Sequence, residues 1–82
     1  MAVKKPLLMS QPQIGKLIRE IRLATNLTQE QFASQLGVIC ITINRWENGR
    51  SKPSPLAIEK IEQLLEQMGN KGEDLLAGYL AD

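Results

Sequence analysis

Residues 28–47, which read TQEQFASQLGVICITINRWE, constrain the fold more than any other part of this 82-residue chain. Thr28 is followed three residues later by Gln31, the spacing of a capping box that satisfies free N–H groups at a helix start. Gly37 supplies the left-handed backbone conformation that commonly ends a helix. We therefore predict two short helices joined by a tight turn, the second of them from about residue 40 to residue 48.

Periodic apolar positions predict further helices on both sides of this segment. A helix over about 11–25, capped by Ser10, would bury one stripe made of Ile14, Leu17, Ile18 and Ile21. A helix over about 55–68 would bury Ile58, Ile61, Leu64, Leu65 and Met68. After a break at 69–72, Glu73 and Asp74 favour the start of a last short helix. With no strand-like alternation and no internal repeat, the chain is predicted to be all-α, a compact bundle of four or five helices.

Length and composition exclude several classes of function. A chain of 82 residues forms one small domain that buries only about 60% of its unfolded surface, which leaves little room for an enzymatic cleft. Cys40 is the single cysteine and there is no histidine, so disulfides, a typical zinc site and imidazole catalysis are excluded. No nucleophile–base pair or phosphate loop occurs, and we expect a non-enzymatic protein without cofactor or metal.

The absence of an apolar run near the ~20 residues of a membrane span indicates a cytoplasmic protein, and residues 1–13 lack a continuous signal-peptide core. Charge is divided unevenly along the chain. Residues 1–52 carry eight Lys and Arg against three acids, a net charge of +5, whereas residues 53–82 carry two against six, a net charge of −4. Small domains often divide charge in this way, but a polyanion-binding surface, if present, belongs to the N-terminal part.

A resemblance to a known family rests on several short segments that fall in register. Cro/C1-type (XRE-like) helix-turn-helix domains of phage repressors and bacterial transcriptional regulators are similar to this chain at Leu27–Ala33, Leu36–Val38, Thr42–Ile43, Arg45–Gly49 and Lys52–Pro53. The resemblance extends over about 11–68 and implies a lambda-repressor-like fold, preceded by a flexible arm at 1–10 and followed by a short helix or tail at 69–82. It further implies a sequence-specific regulator of double-stranded DNA, a repressor and homodimer, that places helix 39–48 in the major groove.

The same resemblance suggests a role for individual residues. Base reading would fall to Cys40, Ile41, Asn44 and Arg45. Arg45 can donate two hydrogen bonds to guanine O6 and N7, and Asn44 can address adenine or a phosphate. Phosphate contacts would fall to Gln29, Thr42, Asn48, Arg50 and Lys52. Arg22 and Glu47 resemble a structural salt bridge that fixes the angle of the recognition helix, and Glu47, being anionic, is expected to avoid DNA.

Ile39-Cys40-Ile41 departs from the family pattern, in which Ser or Thr followed by polar residues usually begins the recognition helix. Ile39 cannot cap a helix with a side-chain oxygen, which costs about 1 kcal/mol of helix stability. Two interpretations remain open: a site rich in thymine methyl groups, or a surface that binds protein instead. For Cys40, a small apolar surface residue is favoured over a redox switch, which would need a lowered thiol pKa.

A second class of function is an antitoxin or bridging-type interaction module that binds a protein partner through its acidic C-terminal helices. The apolar residues of the tail allow three interpretations, namely core packing, a dimer contact or a partner-binding helix. These residues are Leu75, Leu76, Tyr79 and Leu80.

Overall fold

Five helices follow one another in the computed structural model, which describes residues 11–80 and only the backbone of the last two of these. They are α1 (Gln13–Ala24), α2 (Gln29–Leu36), α3 (Cys40–Glu47), α4 (Pro55–Gln67) and α5 (Asn70–Leu80). No strand occurs within these residues, so the predicted all-α fold is confirmed. None of the described helices has both the length and the apolar character needed to cross a membrane. The predicted arm at 1–10, with the cap Ser10, lies outside the described residues.

The core lies around α1, which packs against α3 on one side and α5 on another, while α4 packs against α5 and α2. The predicted stripe of α1 is confirmed, since all four of its residues are at most 1% exposed. The largest fully buried side chains are Phe32, Ile14, Leu17, Ile18, Ile21, Ile43 and Ile61. Of the residues predicted to be buried on α4, Ile61 and Leu65 are buried and the other three are half-buried.

The α2–turn–α3 unit forms as its local signals predict. Thr28 Oγ1 accepts from the Gln31 N–H at 3.1 Å, and Gln31 Oε1 accepts from the Thr28 N–H at 2.9 Å, which completes the capping box. Gly37 ends α2 with a φ of 72°, in the left-handed region that favours glycine. Val38 then packs against the core beneath the turn. Capping and the turn together fix where α3 starts.

The start of α1 differs from the sequence prediction. The helix begins at Gln13, with Pro12 in the cap position and no side-chain capping bond there. Gln11 takes over part of this role, because its Oε1 accepts from the Gly15 N–H at 3.0 Å. A Cβ at Gly15 would collide with the Trp46 carbonyl oxygen. The glycine therefore lets α1 and α3 approach closely, and Trp46, which was expected to be partly buried, is only 4% exposed.

The start of α5 also differs, because the predicted break at 69–72 is confined to Gly69. Met68 and Gly69, the latter with a φ of 64°, form the two-residue turn between α4 and α5. Gly72 instead lies buried inside α5, where a Cβ would collide with the Leu65 carbonyl oxygen of α4. Leu75 and Leu76 pack against the core, so this part of the tail is core. The side chains of the other two tail residues, Tyr79 and Leu80, lie outside what the structure describes.

Candidate nucleic-acid interface

Helix α3 has one buried face and one exposed face. Ile43 and Trp46, three residues apart, are 0% and 4% exposed and anchor the helix on α1 and α2. The opposite stripe has the spacing i, i+3, i+4 and i+7, and its exposed members are Ile41, Asn44, Arg45 and Asn48. Because α3 is only eight residues long, nearly every residue that is not used for anchoring is available to a partner.

An ion pair holds the C-terminal end of α3 to α1. Arg22 Nε lies 2.7 Å from Glu47 Oε2, and Arg22 Nη2 donates to Glu47 Oε1 at 3.1 Å. Arg22 Nη1 also donates to the Leu27 carbonyl oxygen at 3.1 Å. The two side chains are only 13% and 4% exposed. The hydrogen bond with the Glu47 carboxylate raises the pKa of Arg22 above its ordinary value, against the opposing effect of burial. The pair links α3 to α1 and to Leu27, the residue before the α2 cap.

A chain of side-chain amides runs from this ion pair to the surface. Gln29 Nε2 donates to Glu47 Oε1 at 3.1 Å, and Asn48 Nδ2 donates to Asn44 Oδ1 at 3.1 Å. A longer contact of 3.5 Å, from Asn44 Nδ2 to Gln29 Oε1, connects the two bonds. The NH₂ group of Gln29 faces the Glu47 carboxylate, and its second N–H donates to no other group among residues 11–80. These amides are thus oriented before any partner binds.

Three cations surround the C-terminal end of α3. Gly49, with a φ of 75°, ends the helix, and the chain continues into an exposed loop that contains Arg50 and Lys52. Within residues 11–80, neither of these side chains nor Arg45 forms an ion pair or a side-chain hydrogen bond. Positive charge at a helix C-terminus is favourable, and these side chains are free to meet an external anion.

Gln11 is a residue of this region that the sequence interpretation missed. Its Nε2 donates to the Trp46 carbonyl oxygen at 3.0 Å and to the Ser51 carbonyl oxygen at 2.6 Å. Through these bonds the start of α1 is connected to the loop that follows α3. The contacts span 35 and 40 residues, and no local sequence pattern would have indicated them.

The N-terminal end of α3 is apolar. Ile39 occupies the cap position without a side-chain hydrogen bond and is 67% exposed, as the departure from the family pattern predicted. Cys40 is exposed, and Ile41 is 53% exposed. Thr42 is half-buried on the flank of the helix. The exposed surface of α3 is thus apolar at its start and polar or cationic toward its end.

All nine residues predicted to contact DNA are accessible to some degree, since seven have exposed side chains and Gln29 and Thr42 are half-buried. They lie on α3, on the loop after it, and at the first turn of α2. The structure therefore brings them to one region of the molecule, whereas their contacts with DNA stay predictions. Glu47, which was expected to avoid DNA, is nearly inaccessible.

Comparisons with known proteins agree with this architecture. A family model described as helix-turn-helix matches residues 18–66, more than half of the chain. A type II methyltransferase, M1.ScrFI of Lactococcus lactis subsp. cremoris, is 42% identical over 52 residues, which cover 60% of this chain and 13% of that protein. An uncharacterised HTH-type transcriptional regulator, RghRB of Bacillus subtilis (strain 168), is 40% identical over 53 residues, 63% of this chain and 38% of that protein. The chain thus spans less than half of either relative, and no solved structure matches it significantly.

Proposed function

We propose that this chain, which belongs to the XRE family of helix-turn-helix domains, is a transcriptional regulator that binds double-stranded DNA in a sequence-specific manner. One observation carries the proposal. The exposed stripe of α3 presents Asn44 and Arg45, and the loop after it presents Arg50 and Lys52, which have no ion-pair partner among residues 11–80. The partly buried ion pair between Arg22 and Glu47 holds α3 on α1. Hydrogen-bond donors for base edges and cations for phosphates are the two classes of contact that a DNA reader needs.

In the proposed complex, α3 lies in the major groove. Eight helical residues extend over about 12 Å, and the groove is about 12 Å wide. Arg45 donates to guanine O6 and N7, and Asn44 reads an adenine or bonds a phosphate. At the first turn of α2, the free N–H of Gln29 meets a phosphate with the help of the helix dipole. Asn48, Arg50 and Lys52 bind the backbone on the other side of the groove, and Thr42 adds a contact on the helix flank.

A homodimer follows from the small size of the reading surface. With a rise of 3.4 Å per base pair, about 12 Å of helix covers roughly three to four base pairs, too few for a specific site. Two copies would place their recognition helices in half-sites that lie about 34–36 Å apart. Occupation of such a site excludes other proteins from the same DNA and needs no further surface, so we assign repression to this regulator.

Selection from a pool of random duplexes tests this function. The chain is expected to enrich a motif with two similar half-sites, each containing a guanine, and its affinity should fall steeply as salt rises. A variant with Arg45→Ala should enrich a motif without that guanine. Enrichment of no motif, together with binding that is absent or independent of salt, would contradict the proposal. Purification with a stoichiometric protein partner in that case would favour the interaction module.

A further inference from the structure

We infer that the start of α3 reads the C5-methyl groups of pyrimidines in the major groove, an inference that rests on the proposed function. Ile39, Cys40 and Ile41 are all exposed, and Ile39 and Ile41 are 67% and 53% exposed. The N-terminal residues of a recognition helix are the ones that contact base edges. Side chains that can neither donate nor accept a strong hydrogen bond therefore lie where bases are read.

Ile41 shares the exposed stripe of α3 with the two polar residues proposed to read bases. Asn44 follows it by three residues and Arg45 by four, spacings at which side chains on a helix lie about 5–6 Å apart. Since base pairs are stacked at about 3.4 Å, Ile41 lies over a base one or two steps from the guanine bound by Arg45. The apolar and the cationic contact consequently read neighbouring positions of one half-site.

The chemistry of base edges identifies what an isoleucine can contact there. In the major groove, each standard base presents hydrogen-bond donors or acceptors, and thymine alone adds an apolar C5-methyl group. A 5-methylcytosine carries the same methyl group at the same carbon. An unmethylated cytosine or a purine has no methyl group at this position and offers Ile41 no comparable apolar contact. Ile41 thus favours a methylated pyrimidine over the other bases.

Replacing thymine by uracil tests the inference because it removes the methyl group and leaves base pairing unchanged. The full chain is titrated with its selected duplex and with duplexes that carry uracil at single positions next to the guanine. We expect about fourfold weaker binding at the position under Ile41, the equivalent of about 0.8 kcal/mol for one buried carbon group. If that position is a cytosine, its 5-methyl form should instead bind about fourfold more tightly than the unmodified base.

Two variants separate a specific contact from a general loss of apolar surface. Ile41→Ala should bind the thymine and uracil duplexes equally well. Leu23→Ala, at a leucine on α1 that is 54% exposed and thus closely matches Ile41, should retain the full difference.

Sequence-specific binding with no response to either base change would overturn the inference and leave the proposed function intact. A second result would also overturn the inference and leave the proposed function intact: a protein partner that binds wild type but not Ile41→Ala, while neither base change affects DNA binding. Failure to bind any duplex would overturn both.

Discussion

The ion pair between Arg22 and Glu47 is predicted to be the most sensitive single contact of the fold. Replacing Arg22 by Met removes two hydrogen bonds to the carboxylate, at 2.7 and 3.1 Å, and one to the Leu27 carbonyl oxygen at 3.1 Å. Within residues 11–80, Glu47, whose side chain is 4% exposed, then keeps only the hydrogen bond from Gln29. Arg22→Met is expected to lower the free energy of unfolding because it leaves the Glu47 carboxylate buried and largely unpaired.

The magnitude follows from the burial of the two partners. Removing one partner of a buried pair costs about 3–5 kcal/mol. We expect the lower end, about 3 kcal/mol, because the Arg22 side chain is still 13% exposed. A domain of 82 residues has a total stability of about 4–12 kcal/mol, so this loss is a large share of it. The melting temperature should fall by about 12 °C or more.

Urea denaturation of matched variants measures the effect. Arg19→Met, at an exposed arginine on the same helix, is the control and should change the free energy of unfolding by at most about 0.5 kcal/mol. Adding Glu47→Leu to Arg22→Met should recover part of the loss, because no unpaired charge then remains buried. If Arg22→Met costs no more than Arg19→Met, the ion pair does not hold α3 and the reasoning is refuted.

Three further predictions concern pH, packing and salt. Because folding raises the pKa of Arg22, its contribution to the free energy of unfolding is complete at any pH below the ordinary arginine pKa and is lost only above it. The difference in the free energy of unfolding between wild type and Arg22→Met should therefore stay constant from about pH 7 to pH 10. In denaturation experiments, Gly72→Ala should destabilise the protein by about 1–3 kcal/mol because of its collision with α4. Gly78→Ala, in open space on the same helix, should stabilise it by about 0.5–1 kcal/mol, and equal effects of the two changes would contradict this packing. When DNA is titrated at several salt concentrations, the logarithm of the binding constant falls with the logarithm of the salt concentration. Combined Arg50→Gln and Lys52→Gln should make this slope less steep by about 2 per protomer, whereas an unchanged slope would exclude both residues from phosphate binding.

Features encoded over a few consecutive residues could be predicted from the sequence. The capping box at Thr28, the left-handed Gly37 and the apolar periodicity of α1 each depend on neighbours within one or two turns, and all three are present in the structure. They determine where helices begin and end and which faces become buried. The all-α architecture follows from such local information.

Features that depend on distant backbone could not be predicted in the same way. In the sequence, the glycine at position 72 is typical of a helix break. It lies inside α5 instead, because the Leu65 carbonyl oxygen of α4 leaves no room for a Cβ there. Gln11 bonds residues 35 and 40 positions away. Gln29 was interpreted from the family resemblance as a phosphate ligand, and the structure adds its bond to Glu47. Tertiary packing determines all three contacts, and it cannot be predicted from neighbouring residues in the sequence.

Protection of guanine N7 from methylation by dimethyl sulfate tests most directly whether α3 reads the major groove, because N7 lies in that groove. The measurement compares wild type with Arg45→Ala on the selected duplex, at protein concentrations that saturate each. Wild type should protect one guanine in each half-site, about 10–10.5 base pairs apart from centre to centre, and Arg45→Ala should leave these guanines reactive. Binding by wild type without any protected guanine, or equal protection by both proteins, would contradict the account.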